Sequence, residues 1–170
     1  GLQALGDYRS LGEFSGAPVT LEVITRGSLD PDSELQEVAQ AARRAGLEPE
    51  AIAVFAAQDM ESRQPDAQWP HMPSFEETYA AARKAFPGVR LGGGMATYFT
   101  ELNRKRPPAG SLDYVTFTTC PTVHAADDIS VMETNEAIPY LVSSTREFMG
   151  GSVPIRIGAQ HCYFEEKGAF

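Results

Sequence analysis

Residues 51–57 read Ala51-Ile52-Ala53-Val54-Phe55-Ala56-Ala57. This short, continuously apolar run is bounded by polar loops, as strands of a parallel sheet covered on both faces tend to be. Upstream of it, Ser33 onward places Leu35, Val38, Ala39 and Ala42 on one helical face. Ser33 and Gln36 stand at capping-box spacing, and Gly46 lies at the far end, so a helix is expected there. Further back, the β-branched run Val19 to Thr25 follows Pro18 and stops at Arg26-Gly27, which reads as a buried strand.

The same order continues downstream. A loop rich in Pro, Asp and Gln passes through Pro65, Trp69, Pro70, His71 and Pro73. Ser74 and Glu77 form a second capping box, and Phe75, Tyr79, Ala82 and Phe86 make the buried stripe of a helix ended by Pro87-Gly88. Val89 to Leu91 enters a third strand running into Gly92-Gly93-Gly94, with a loop expected from Met95 to Arg106. A fourth strand spans Asp113 to Thr118, and a loop follows from Thr119 to Asp128. Ser130 and Glu133 then suggest a third capping box opening a long helix to Phe148, and Val153 to Ile157 supplies a fifth strand. Strands alternating with helices in this way are consecutive βα units of a parallel sheet. The polar, chemically capable residues collect after strands three and four, and no glycine-rich phosphate turn of the dinucleotide type is present, which favours a (β/α)8 TIM barrel over a doubly wound sheet. A complete barrel takes about 250 residues and eight strands. With 170 residues and about five strands, the chain reads as one α/β domain over 1–170, a partial barrel with exposed apolar edges or missing partner strands at both ends.

Composition narrows the function. Hydrophobic residues make up 42% of the chain, enough for a real core, and the formal net charge of −9 would repel a phosphate backbone or an anionic membrane surface. Neither nucleic acid nor membrane is expected as a partner, and the oligomeric state stays open. The two cysteines, Cys120 and Cys162, show no paired ligand spacing. No apolar run approaches the ~20 residues of a membrane span, and Gly1-Leu2-Gln3-Ala4 lacks the basic start of a leader, so a cytoplasmic setting is expected.

Two clusters could do chemistry. In the first, three glycines at a strand's carboxyl end precede Tyr98, Phe99, Glu101, Asn103, Arg104 and Arg106. The glycines, Gly93 and Gly94 among them, either let a ligand approach the backbone or make a strained turn. Glu101, shielded by Tyr98 and Phe99, could act as general acid or base, or could simply pair with Arg104 or Arg106. The second cluster holds Cys120, His124, Asp127 and Asp128. His124 could orient or deprotonate a water with either Asp fixing its tautomer, yet both carboxylates also lie just before a helix, where capping is the expected role of at least one of them. Cys120 is a nucleophile candidate or a small buried hydrophobe. Glu133 reads as the partner of Ser130, and His71 beside Trp69 as a possible wall of a sugar-sized pocket.

At these two clusters the sequence resembles the D-apionate lactonases of bacterial apiose catabolism, which are built around a glycoside-hydrolase-like (β/α)8 barrel. The resemblance is carried by Phe86 to Met95, Tyr98 to Pro107, Asp113 to Pro121, His124 to Asp128 and Ser130 to Thr134. The family's chains are much longer, and residues 159–170 do not look like the family's continuation. A truncation or reading-frame slip near Ala159 is therefore expected, and with it an incomplete or inactive fragment. The resemblance implies a hydrolase that opens a sugar-acid lactone, D-apionolactone to D-apionate. From the residues themselves, Glu101 is the expected proton-transfer group, with His124 and Asp127 orienting water or substrate. Asn103 and Arg104 are expected to donate hydrogen bonds, and Gly93, Gly94, Tyr98, Cys120 and Asp128 to contact a small sugar lactone. No metal ion or cofactor is expected. The rivals are a glycosidase, which would need two carboxylates, and a non-catalytic sugar-binding or vestigial fragment.

Overall fold

The computed structural model describes residues 2–27, 30–60, 72–122, 125 and 127–158. Five strands form one parallel sheet in the order β1-β2-β3-β4-β5, comprising Thr20–Thr25, Ala51–Ala56, Arg90–Tyr98, Tyr114–Thr118 and Ile155–Ile157. Every strand pairs with its neighbour in sequence. A doubly wound sheet reverses its order at a switch point; this one does not, and it is the α/β arrangement of a partial (β/α)8 TIM barrel.

Helices α2 (Pro31–Ala45) and α3 (Phe75–Ala85) cover one face of the sheet. The main core lies between them and the sheet, with Leu35, Ala39, Tyr79 and Ala82 packed against Leu21, Val23, Ile52, Val54 and Leu91. The opposite face holds a smaller cluster of Ala51, Ala53, Phe55 and Tyr114. There the Tyr114 hydroxyl donates to the Ile52 carbonyl at 2.9 Å, and the Arg156 guanidinium stacks 4.2 Å from the Tyr114 ring centre. Arg156 Nη1 also donates to Thr20 Oγ1 at 3.3 Å. A side chain of the last strand thus reaches the first, so the sheet curls as a barrel wall does. The β1 edge leaves Ile24 50% exposed, and β5 is only half-buried.

Several local expectations change. Helix α1 (Leu5–Ser15), which the sequence reading did not assign, precedes β1 and buries only Leu5. The cap of α2 is Asp30, not Ser33: its carboxylate accepts from the Asp32 amide at 3.0 Å and from the Ser33 hydroxyl, and Pro31 fills the first turn. The Ser74–Glu77 capping box is present in full. The expected loop from Met95 to Arg106 is instead the end of β3 followed directly by α4 (Phe99–Lys105). The long helix to Phe148 is two, α5 (Asp128–Thr134) and α6 (Ile138–Met149), joined by a 3-10 turn at Asn135–Ala137. Pro139 explains the break, because it has no N–H for a continuous helix and must sit in a first turn. Asp127 replaces Ser130 as the cap.

Three glycines in β3 are fixed by packing. A Cβ on Gly92 would lie 2.1 Å from Tyr114 Cζ, and one on Gly93 2.7 Å from the Tyr79 hydroxyl on the other face. Gly94 has φ +124° and its Cβ would meet the Thr116 carbonyl oxygen at 2.4 Å.

Candidate functional site

The carboxyl ends of β2, β3 and β4 share one rim. After β2 a 3-10 turn, Ala57–Met60, carries Asp59 inward to 5% exposure. After β3 the chain turns at Tyr98 into α4, whose first turn holds Glu101 at 3% exposure. Residues three and four apart share a helix face, so Arg104 and Lys105 fall beside Glu101. Arg104 Nη1 is 2.6 Å from Glu101 Oε1, and Lys105 Nζ is 3.8 Å from Glu101 Oε2 and 2.9 Å from Asp59 Oδ1. Lys105 is almost as buried as the carboxylates, whereas the Arg104 side chain is 31% exposed. Burial pushes the Asp59 carboxyl above its usual range, although Lys105 pulls the other way.

On the β4 side of α4 lies a cavity of about 260 Å3. Tyr98, Phe99 and Thr100 form one wall and Thr118, Thr119, Cys120 and Pro121 a second, with the end of α5, the Asn135–Ala137 turn and the start of α6 forming the rest. The two sequence clusters therefore converge, but unevenly. Tyr98 and Cys120 line this cavity, and Cys120 Sγ sits 3.4 Å from Thr122 Oγ1. Glu101 and Arg104 belong to the charged cluster instead and are not walls of the cavity. The pairing of Glu101 with Arg104, weighed from sequence as an alternative, is present, and Arg106 is not the partner: it donates to Asn103 O and Oδ1 at 2.9 and 2.8 Å.

The remaining candidates are dispersed. Asn103 is exposed and engaged with Arg106. Asp127 spends both oxygens on Ser130, at 3.0 Å to its amide and 2.7 Å to its hydroxyl, and these bonds hold its carboxyl below the usual range. Asp128 is exposed in the first turn of α5. Gly93 faces Tyr79 and Gly94 the Thr116 backbone, so neither glycine is a wall of the cavity. His124, His71, Trp69 and Cys162 lie outside the described residues.

Sequence reading missed Asp59 and Lys105. Asp59 is the first carboxylate after the apolar run of β2, and a polar group just past a barrel strand faces the chemical rim. Lys105, four residues after Glu101, is a helix-spacing partner that only a helical reading of 99–105 could expose.

Among the described residues, no helix is long and apolar enough to cross a membrane. Residues 1–162 match the sequence family described as D-apionate lactonase, TIM barrel domain. A curated relative, the D-apionate lactonase of Brucella anthropi, is 45% identical over 155 residues, which cover 91% of this chain and 25% of the relative. The chain thus spans about a quarter of the length of the curated relative it matches.

Proposed function

Since the chain belongs to the D-apionate lactonase family, we propose that it supplies five consecutive βα units to a hydrolase that opens a sugar-acid lactone, D-apionolactone to D-apionate, in carbohydrate catabolism. The observation that carries this reading is a buried carboxylate, Glu101, held by a guanidinium at the carboxyl end of β3, on the rim where barrels of this kind place their chemistry.

Lactone hydrolysis needs a base for water, stabilisation of the tetrahedral oxyanion, and a proton for the departing ring oxygen. We assign proton transfer to Glu101. It takes the proton from water as the oxygen bonds to the carbonyl carbon, and returns it to the ring oxygen as that C–O bond breaks. Arg104, the cation of the cluster that solvent reaches, is assigned the developing negative charge. Asp127 is assigned the capping of α5, which its hydrogen bonds support better than orientation of a water.

A second reading is favoured by Asp59. It gives the rim a second buried carboxylate beside Lys105, and two carboxylates are what a glycosidase requires. The test uses the full-length protein that carries this chain. Base uptake at constant pH on D-apionolactone is compared with aryl-alcohol release from aryl glycosides, for the native sequence and for Glu101→Gln. Lactone turnover that falls about 10²- to 10⁴-fold in the variant, with its melting temperature preserved, supports the proposal. Aryl release without lactone turnover supports the glycosidase, and unchanged lactone turnover removes Glu101 from the mechanism.

A further inference from the structure

We infer that Asp59 is a positioning residue for the hydrolysis: by holding the Lys105 ammonium at its own carboxylate, it keeps that cation from bonding to Glu101 and so preserves Glu101 as a base. This deepens the lactonase reading and rests on it, because it explains how a carboxylate flanked by two cations accepts a proton from water.

The local sequence favours the opposite arrangement. A Glu four residues before a Lys is the pairing order that helices prefer, and Glu101 and Lys105 stand at that spacing in α4. Lys105 Nζ nevertheless lies 2.9 Å from Asp59 Oδ1 and 3.8 Å from Glu101 Oε2. It therefore bonds to a carboxylate from another element, the turn after β2, and stays beyond hydrogen-bond reach of Oε2 on its own helix. All three side chains are buried, none of them more than 8% exposed.

Charge explains why this diversion matters. Glu101 Oε1 already meets the Arg104 guanidinium at 2.6 Å. A second cation bonded at Oε2 would favour the ionised carboxylate further and make it a weaker base. Asp59 opposes this twice, since it draws Lys105 aside and sets a second negative charge near Glu101. Burial keeps salt and solvent from screening these charges. Among the described residues, the charged groups facing Glu101 are Arg104 and Lys105 of its own helix and Asp59 from the turn after β2. Tyr79 of α3 also senses Asp59, but burial pushes its hydroxyl up and keeps it neutral.

The experiment measures kcat/KM for D-apionolactone in the full-length protein from acid to neutral pH, following loss of the lactone by proton NMR. The native sequence, Asp59→Asn, Lys105→Met and Glu101→Gln are compared. Neutralising Asp59 returns Lys105 to Glu101, and the acid limb of the profile is expected to move to lower pH by about half a unit or more. Removing Lys105 is expected to move it to higher pH by about as much, because the cation beside Oε2 is gone. A tie that serves stability alone would not shift the limb in opposite directions. A limb that stays in place, or moves the other way, in either variant overturns the inference, and each variant decides alone where the other fails to fold. Absence of lactone turnover in the native protein, or native turnover in Glu101→Gln, overturns the lactonase reading and this inference with it. An unmoved limb together with lost turnover in Glu101→Gln overturns this inference only, so the two failures are distinguishable.

Discussion

Lys105 Nζ lies 2.9 Å from Asp59 Oδ1, and this contact between two nearly buried side chains ties α4 to the turn after β2. Removing one partner of a buried pair leaves an uncompensated charge and typically costs about 3 to 5 kcal/mol. Lys105→Met should lose stability in that range at neutral pH, read by urea denaturation. Burial already raises the Asp59 carboxyl, so the folded form holds its proton to higher pH than the unfolded chain. The stability tied to that proton is complete below the unfolded pKa and is lost as pH rises through the folded one. Without Lys105 the rise is larger. The deficit of Lys105→Met should therefore narrow as pH falls through the raised Asp59 pKa of the variant. Asp59→Leu combined with Lys105→Met should recover most of the loss, since apolar replacements of a buried pair are often neutral. A deficit independent of pH would show that the pair is not what the substitution removes.

Gly92 and Gly94 make a second, graded prediction. The Tyr114 ring occupies the space where a Gly92 side chain would go, held there by its bond to Ile52 O. Gly92→Ala should cost about 1 to 3 kcal/mol as overpacking, and Tyr114→Leu in the same chain should return part of it. Gly94→Ala should cost more and should not be relieved by Tyr114→Leu, because its obstacle is the Thr116 backbone and its φ is +124°. A double-mutant cycle on the two pairs separates these cases.

These glycines also show where sequence reading stops. The apolar run of β2 and the Ser74–Glu77 box were legible because a short window contains all the residues they need. The three glycines were not, because their meaning lies in Tyr79 and Tyr114, which come from other elements. Helix α4 was read as a loop because it begins with aromatics straight after a strand and is only two turns long, leaving little periodicity to detect. The Asp59–Lys105 pair joins residues far apart in the chain, so only the parallel order of β2 and β3 brings them together. The convergence of Tyr98 with Cys120 was legible once both were placed after adjacent strands, while the separation of Glu101 onto the opposite flank depended on the rotation of α4.

Asp113 supplies a pH prediction of the opposite sign. Its carboxylate accepts from Arg83 at 3.0 and 3.1 Å and from the Leu91 amide at 2.7 Å, and the Arg83 bonds hold its carboxyl below the ordinary 3.8. A depressed carboxyl contributes stability that is present above the unfolded pKa and lost as pH falls through the folded one. The side chain is 40% exposed, so solvent screening limits the contribution to about 1 kcal/mol or less. Asp113→Asn should be slightly less stable at pH 7, and the two urea midpoints should meet as pH falls below 3.8. Parallel curves across that range would assign the effect to lost packing.

Asp127 separates capping from chemistry. Its oxygens satisfy the Ser130 amide and hydroxyl at the start of α5, which leaves the first turn of the helix capped. Asp127→Ala should lower the melting temperature, whereas Asp127→Ser and Asp127→Asn, both good caps, should hold it. If capping is the whole role, lactone turnover in the full-length protein follows the same order and stays near native in the Ser and Asn variants. Should Asp127→Asn keep its melting temperature and lose turnover by tenfold or more, the carboxylate acts on substrate or water. Its bonds to Ser130 would then have to open during the reaction, and Ser130→Ala would raise turnover instead of lowering it.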